Sequence, residues 1–136
     1  MPALCLALAA ALTAPVAIPA PTFTLAWTHS IEHQRWEEDY ALTPTGLRLV
    51  RARVRGSGAG MEPAANARLE EGWYVWEPAA DPVPELRLTR SGHTADYDLC
   101  LPGQPCAPLS HWLPSDGGVT GVWACEPPPA RRKLPP

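Results

Sequence analysis

The stretch GLRLVRARV, residues 46–54, decides the fold, because its apolar residues keep a period of two and then change step. Leu47 and Leu49 alternate with polar neighbours, and Val50, Ala52 and Val54 resume the alternation one residue out of phase. Period two is the signature of a strand with one buried face, and the change of parity between Leu49 and Val50 predicts a β-bulge. Upstream, Phe23, Leu25 and Trp27 alternate in the same way, followed by Trp36, Tyr40 and Leu42. Thr43–Gly46 reads TPTG, a cluster of turn residues that predicts a hairpin between two of these runs. Residues 30–40 could instead form a helix with Trp36 and Tyr40 on one face, but no continuous apolar stripe supports it.

Further strands are expected at Gly72–Glu77, Glu85–Arg90, Thr94–Leu101 and Val119–Cys125, with Pro, Gly and Asp between them. The pattern predicts an all-β chain, a single small antiparallel sandwich or barrel of about seven strands. A chain of 136 residues suits one core. A formal charge of -3 with no basic stripe excludes nucleic acid as the main partner.

No charged side chain occurs between Met1 and Thr28, and the Ala- and Leu-rich run from Leu4 to Leu12 ends in a segment broken by Pro15, Pro19 and Pro21. This reads as an export signal or N-terminal anchor over residues 1–21, outside the folded domain and too short in its apolar part to span a bilayer. The β domain is then expected over 22–125, with 126–136, EPPPARRKLPP, as a disordered tail. The expected location is the periplasm or cell envelope, with the N-terminal segment either cleaved or retained as an anchor. In that compartment Cys100 and Cys106, separated by LPGQP, are expected to close a disulfide loop. Cys125 is left odd, and Cys5 reads as a buried leader residue. Three thiolates with His111 would need a reducing compartment and lack a CxxC pair, so no metal is expected.

Residues with chemical potential concentrate in THSIEH, residues 28–33, in RWEEDY, residues 35–40, and in GSGAG, residues 56–60. Three glycines in five residues can turn several backbone N–H groups towards one anion, but no Lys-Ser or Lys-Thr follows them, so this is not a phosphate-binding Walker loop. His29 and Ser30 are neighbours on an expected strand and point to opposite faces, which makes them a poor nucleophile pair. His29 with Ser57 and Glu38 remains open as a hydrolase set. Alternation likewise separates Glu32 from His29 and His33 and argues against a metal site. On the sheet reading His29 lies with Trp27 among core residues and needs a fixed partner, with Glu38 and Ser57 as candidates.

The ordered elements Trp27-Thr28-His29-Ser30-Ile31-Glu32, Trp36-Glu37-Glu38, Gly56-Ser57-Gly58-Ala59-Gly60-Met61 and Gly72-Trp73-Tyr74 resemble the bacterial domain of unknown function 1850 family. The resemblance covers about Phe23 to Trp76. It implies a short exported or membrane-anchored protein working beside TAXI-type tripartite ATP-independent periplasmic (TRAP) transporters, which import small organic anions. It carries no catalytic role and no cofactor. The expected function is therefore a non-enzymatic accessory or small-ligand-binding protein, with an envelope hydrolase using Ser, His and Glu as the alternative. His29, Ser30, Glu32, Glu38, Ser57, Gly58 and Gly60 are the candidate binding residues, a small organic anion the candidate ligand, and a TAXI-type permease or its solute-binding protein the candidate partner.

Overall fold

The computed structural model describes residues 2–28, 34–55 and 65–126. Two antiparallel sheets face one another as a sandwich-like fold, without closing into a barrel. The four-stranded sheet runs β2 (Val16–Pro19), β1 (Ala3–Leu8), β11 (Val119–Cys125), β8 (Leu86–Thr89). The seven-stranded sheet runs β10 (Ala107–Pro108), β9 (Asp98–Cys100), β3 (Thr22–Thr28), β4 (Arg35–Thr43), β5 (Gly46–Arg55), β7 (Trp73–Trp76), β6 (Arg68–Glu70). A short 3-10 turn, Leu109–His111, follows β10.

The expected hairpin forms at TPTG: Thr43 pairs with Gly46, and the Thr43 hydroxyl donates to the Gly46 carbonyl at 2.9 Å. The bulge also falls where the parity changes. Asp39 stands opposite Arg51 and Tyr40 opposite Leu49, which leaves Val50 as the extra residue. Inserting it returns Ala52 and Val54 to the same face as Leu47 and Leu49. Residues 35–40 are strand, and β3 and β4 pair from Thr22–Ala41 to Thr28–Arg35, so the helical alternative does not hold over these residues.

The core lies between the sheets. Leu4, Leu6, Ile18, Leu88 and Val122 come from the smaller sheet; Phe23, Leu25, Tyr40, Leu47 and Leu99 come from the larger, and Leu101 and Leu109 also join the cluster. Leu4 and Leu6 are fully buried. The N-terminal segment expected to lie outside the domain is therefore a strand of the core, paired on one side with β2 and on the other with β11. The physical reason is its two-sided burial. Ala3 and Cys5 on its outer side are as enclosed as Leu4 and Leu6 on its inner side, so the strand reads as a continuous apolar run instead of an alternation.

Two further expectations about cysteine are settled by this arrangement. Cys100 and Cys106 are bonded as expected, and the intervening Pro102-Gly103 makes the reversal: Gly103 sits at φ 72, and Gln104 N–H donates to the Leu101 carbonyl at 3.2 Å. Cys125, expected to be odd, is bonded to Cys5, expected to be a buried leader residue, across 120 residues of sequence. With β1 beside β11, the two Cα atoms come to 5.9 Å.

Polar groups fasten the layers as well. Arg90 follows β8 with its side chain 1% exposed, and its Nε and Nη2 donate to the two Asp96 carboxylate oxygens at 2.9 and 2.8 Å. Its Nη1 donates to the Thr120 hydroxyl at 3.1 Å, and Asp96 accepts further bonds from the Tyr97 and Ser110 backbone N–H groups. A buried guanidinium is tolerable only when paired in this way.

Candidate functional site

Antiparallel pairing assigns side chains of β3, β4, β5 and β7 to two faces. Residues directly opposite share a face, so the pairs Phe23–Tyr40, Leu25–Glu38 and Trp27–Trp36 carry one face inward, and Glu38–Ala52, Trp36–Val54, Ala52–Trp76 and Val54–Tyr74 extend it. Glu38 is therefore a carboxylate on the core-facing side, between Trp36 and Tyr40 of its own strand.

Its surroundings are aromatic. Trp27 stacks on Trp36 at 6.3 Å, Tyr97 meets Trp27 edge-on at 5.9 Å, and Trp76 meets Trp36 edge-on at 6.2 Å, making one row across β3, β4 and β7 with Tyr97 at its end. The Tyr40 hydroxyl donates to Glu38 Oε1 at 2.8 Å. Burial pushes the Glu38 carboxyl above its ordinary value, and the Tyr40 hydrogen bond offsets only part of this. Burial, and then the neighbouring Glu38 charge, hold the Tyr40 phenol far above its usual range. Trp36 Nε1 and Gln34 Oε1 are enclosed without a hydrogen-bond partner among the described residues.

Of the candidate binding residues read from the sequence, Glu38 alone falls within the described part. His29, Ser30, Glu32, Ser57, Gly58 and Gly60 lie outside the described residues, as do His33 and residues 127–136 of the tail. The topology does fix where those segments depart: β3 and β5 run in the same direction, so Thr28 and Arg55 lie at one end of the larger sheet, beside Trp27, Trp36 and Val54. Glu38 stands opposite Leu25, three ladder steps in from the Thr28–Arg35 pair, and its hydrogen bond goes to Tyr40. Among the described residues no group of three or more His, Cys, Asp or Glu is placed to hold a metal ion, and the thiolates of the weighed cysteine site are consumed in disulfides.

The opposite, outward face of the same strands carries charges that sequence alternation alone did not single out. Arg35 donates to Asp98 at 3.1 Å and to Glu37 at 2.9 Å; Arg53 donates to Glu37 at 2.7 Å and to Asp39 at 2.9 Å; the Thr24 hydroxyl donates to Asp39 at 2.6 Å. The signal lay in the polar halves of TFTLAW, RWEEDY and RARVR, which become legible once the register places Glu37 opposite Arg53. Beside this ladder an open concavity of about 830 Å³ extends to the β6–β7 hairpin.

No curated protein and no solved structure matches the chain. A family profile, described as domain of unknown function (DUF1850), matches residues 23–109, running past Trp76 and through the cysteine loop. That span, well over half of the chain, includes the aromatic row, Glu38, the outward ladder and the Cys100–Cys106 bridge, and the protein accordingly belongs to the DUF1850 family.

Proposed function

We propose that the protein is an exported, non-enzymatic accessory or small-ligand-binding protein of a TAXI-type TRAP transporter system. The observation that carries export is the pairing of all four cysteines, Cys5 with Cys125 and Cys100 with Cys106, since such bonds persist in oxidising compartments. The transporter association rests on the resemblance that its HS-x-E, EE and GxGAG elements carry. His29, Ser30, Glu32, Ser57, Gly58 and Gly60 are the proposed anion-binding residues, and Thr28 and Arg55, the described residues next to them in sequence, lie at one end of the larger sheet.

Glu38 supports binding over hydrolysis. An orienting carboxylate in a nucleophile set is directed at a histidine, whereas among the described residues Glu38 Oε1 takes its hydrogen bond from Tyr40. The test is affinity capture of the tagged full chain from envelope extracts containing a TAXI-type permease and its solute-binding protein. Retention of either, with no turnover of ester probes, is the expected result. Labelling by a serine-directed reagent with loss of ester hydrolysis in Ser57→Ala would establish the hydrolase alternative instead.

A further inference from the structure

We propose that the outward face of the seven-stranded sheet carries a binding site of its own, for a neutral polyhydroxylated ligand of the carbohydrate class. The site is the open concavity between the charged ladder and the β6–β7 hairpin, lined in part by Thr24, Asp39, Arg51, Arg53, Glu71 and Trp73. Its volume, about 830 Å³, falls within the range of small-molecule sites. It lies on the side of the sheet away from Glu38, so it goes beyond the binding role proposed above.

Three features select the ligand class. First, the polar floor is held in place before anything binds. The Arg53 guanidinium is fixed by Glu37 and Asp39, and Asp39 is fixed by Thr24, with side-chain exposures of 22%, 17% and 26% for Arg53, Glu37 and Asp39. Polar groups already locked in position lose little freedom on binding. Second, the floor alternates in sign. A ligand anion would meet Glu37, Asp39, Glu70 and Glu71, and a cation would meet Arg51 and Arg53. A hydroxyl both donates and accepts, so it can bridge a guanidinium edge and a carboxylate oxygen without opposing either charge. Third, Trp73 gives the site an aromatic wall: the Arg55 guanidinium lies 5.7 Å from its ring centroid and steadies it, and the other side of the ring suits the C–H face of a sugar at low entropic cost. The two-residue turn Glu71-Gly72, with φ of 50° and 87°, fixes that wall by joining Glu70 directly to its partner Trp73.

The test is a titration of the full, disulfide-intact chain, labelled with ¹⁵N at its tryptophans and followed through the Trp73 indole resonance. The probes are maltotriose, cellotriose and N,N′-diacetylchitobiose, with citrate and spermidine as charged controls. The expected result is a saturable shift of the Trp73 resonance with at least one of the neutral oligosaccharides and none with the controls. Binding should be lost in Trp73→Ala and weakened roughly 10-fold or more in Arg51→Met, while Glu38→Gln should leave it unchanged. The other five indole resonances report whether each variant remains folded. Absence of a saturable shift with all three sugars at about 20 mM, a weak-binding limit, would overturn the proposal. So would a response to citrate or spermidine instead, or undiminished sugar affinity in folded Trp73→Ala.

Discussion

Cys5, in the first strand, is bonded to Cys125, in the last, and β1 and β11 also pair over six residue positions from Ala3–Cys125 to Leu8–Thr120. The disulfide and the ladder thus join the two ends of the described chain at the centre of the smaller sheet. The bond makes a covalent loop of the 120-residue separation between them.

The two disulfides should differ in their contribution to stability. In the chain-entropy account a loop of about 120 residues restricts the unfolded chain by about 5 kcal/mol, and one of a few residues by about 2 kcal/mol. The double variant Cys5→Ala/Cys125→Ala is therefore expected to lose more stability in urea denaturation than Cys100→Ala/Cys106→Ala. The reverse order would show that the long crosslink does not constrain the unfolded chain as the connectivity implies.

Leu6 is fully buried in β1 against the larger sheet. Truncating it to Leu6→Ala should cost about 2 to 5 kcal/mol, the range for a large-to-small change at an enclosed aliphatic site. A change within experimental scatter would return residues 1–21 to the role of a leader outside the domain.

Gly46 sits at φ 140 where β4 turns into β5, and Leu47 and Val83 exchange backbone hydrogen bonds at 2.8 Å in each direction. A Cβ at position 46 would collide with the Val83 carbonyl. Gly46→Ala is thus expected to destabilise through both the backbone conformation and the Val83 contact, whereas Gly92→Ala, with open space around it, should not. Thermal denaturation of the two variants measures the difference.

Asp96 and Glu38 should shape the acid stability profile in opposite senses. Burial alone would raise the Asp96 carboxyl, but the Arg90 hydrogen bonds and charge, with the Tyr97 and Ser110 N–H groups, outweigh it and lower it below its ordinary 3.8. Its contribution is full above that value and is lost as pH falls through the depressed folded-state value. Glu38 is raised above its ordinary 4.5, chiefly by burial, so the folded state holds the proton more tightly and stability falls as pH rises from that value through the raised one. Asp96→Asn should lower stability at neutral pH and flatten the acid loss. Glu38→Gln should be no less stable than the parent at neutral pH and should remove the decline. Urea denaturation across the acid range checks both signs.

Period-two alternation made β3, β4 and β5 legible, and the parity change at Val50 made the bulge legible, because each of these strands has residues that distinguish its two faces. β1 was not legible for the complementary reason. Ala3, Leu4, Cys5 and Leu6 are all enclosed, and a charge-free run buried on both sides has the composition of an export signal. The three-residue β6 and two-residue β10 carry too few positions for any period to register. At the candidate site, RWEEDY marked Glu38, but its inward orientation and its bond to Tyr40 follow from register, which a single strand does not encode. The Arg90–Asp96–Thr120 cluster joins residues up to 30 positions apart and gave no local signal.

The N-terminal segment is a strand of the sandwich, covalently closed onto the last described strand. Peptide mapping by mass spectrometry of the protein isolated without reductant reads this closure out. Two crosslinked peptides are expected, one joining Cys5 to Cys125 and one joining Cys100 to Cys106, with no free thiol. A mature chain that begins after residue 21 with Cys125 free would contradict it.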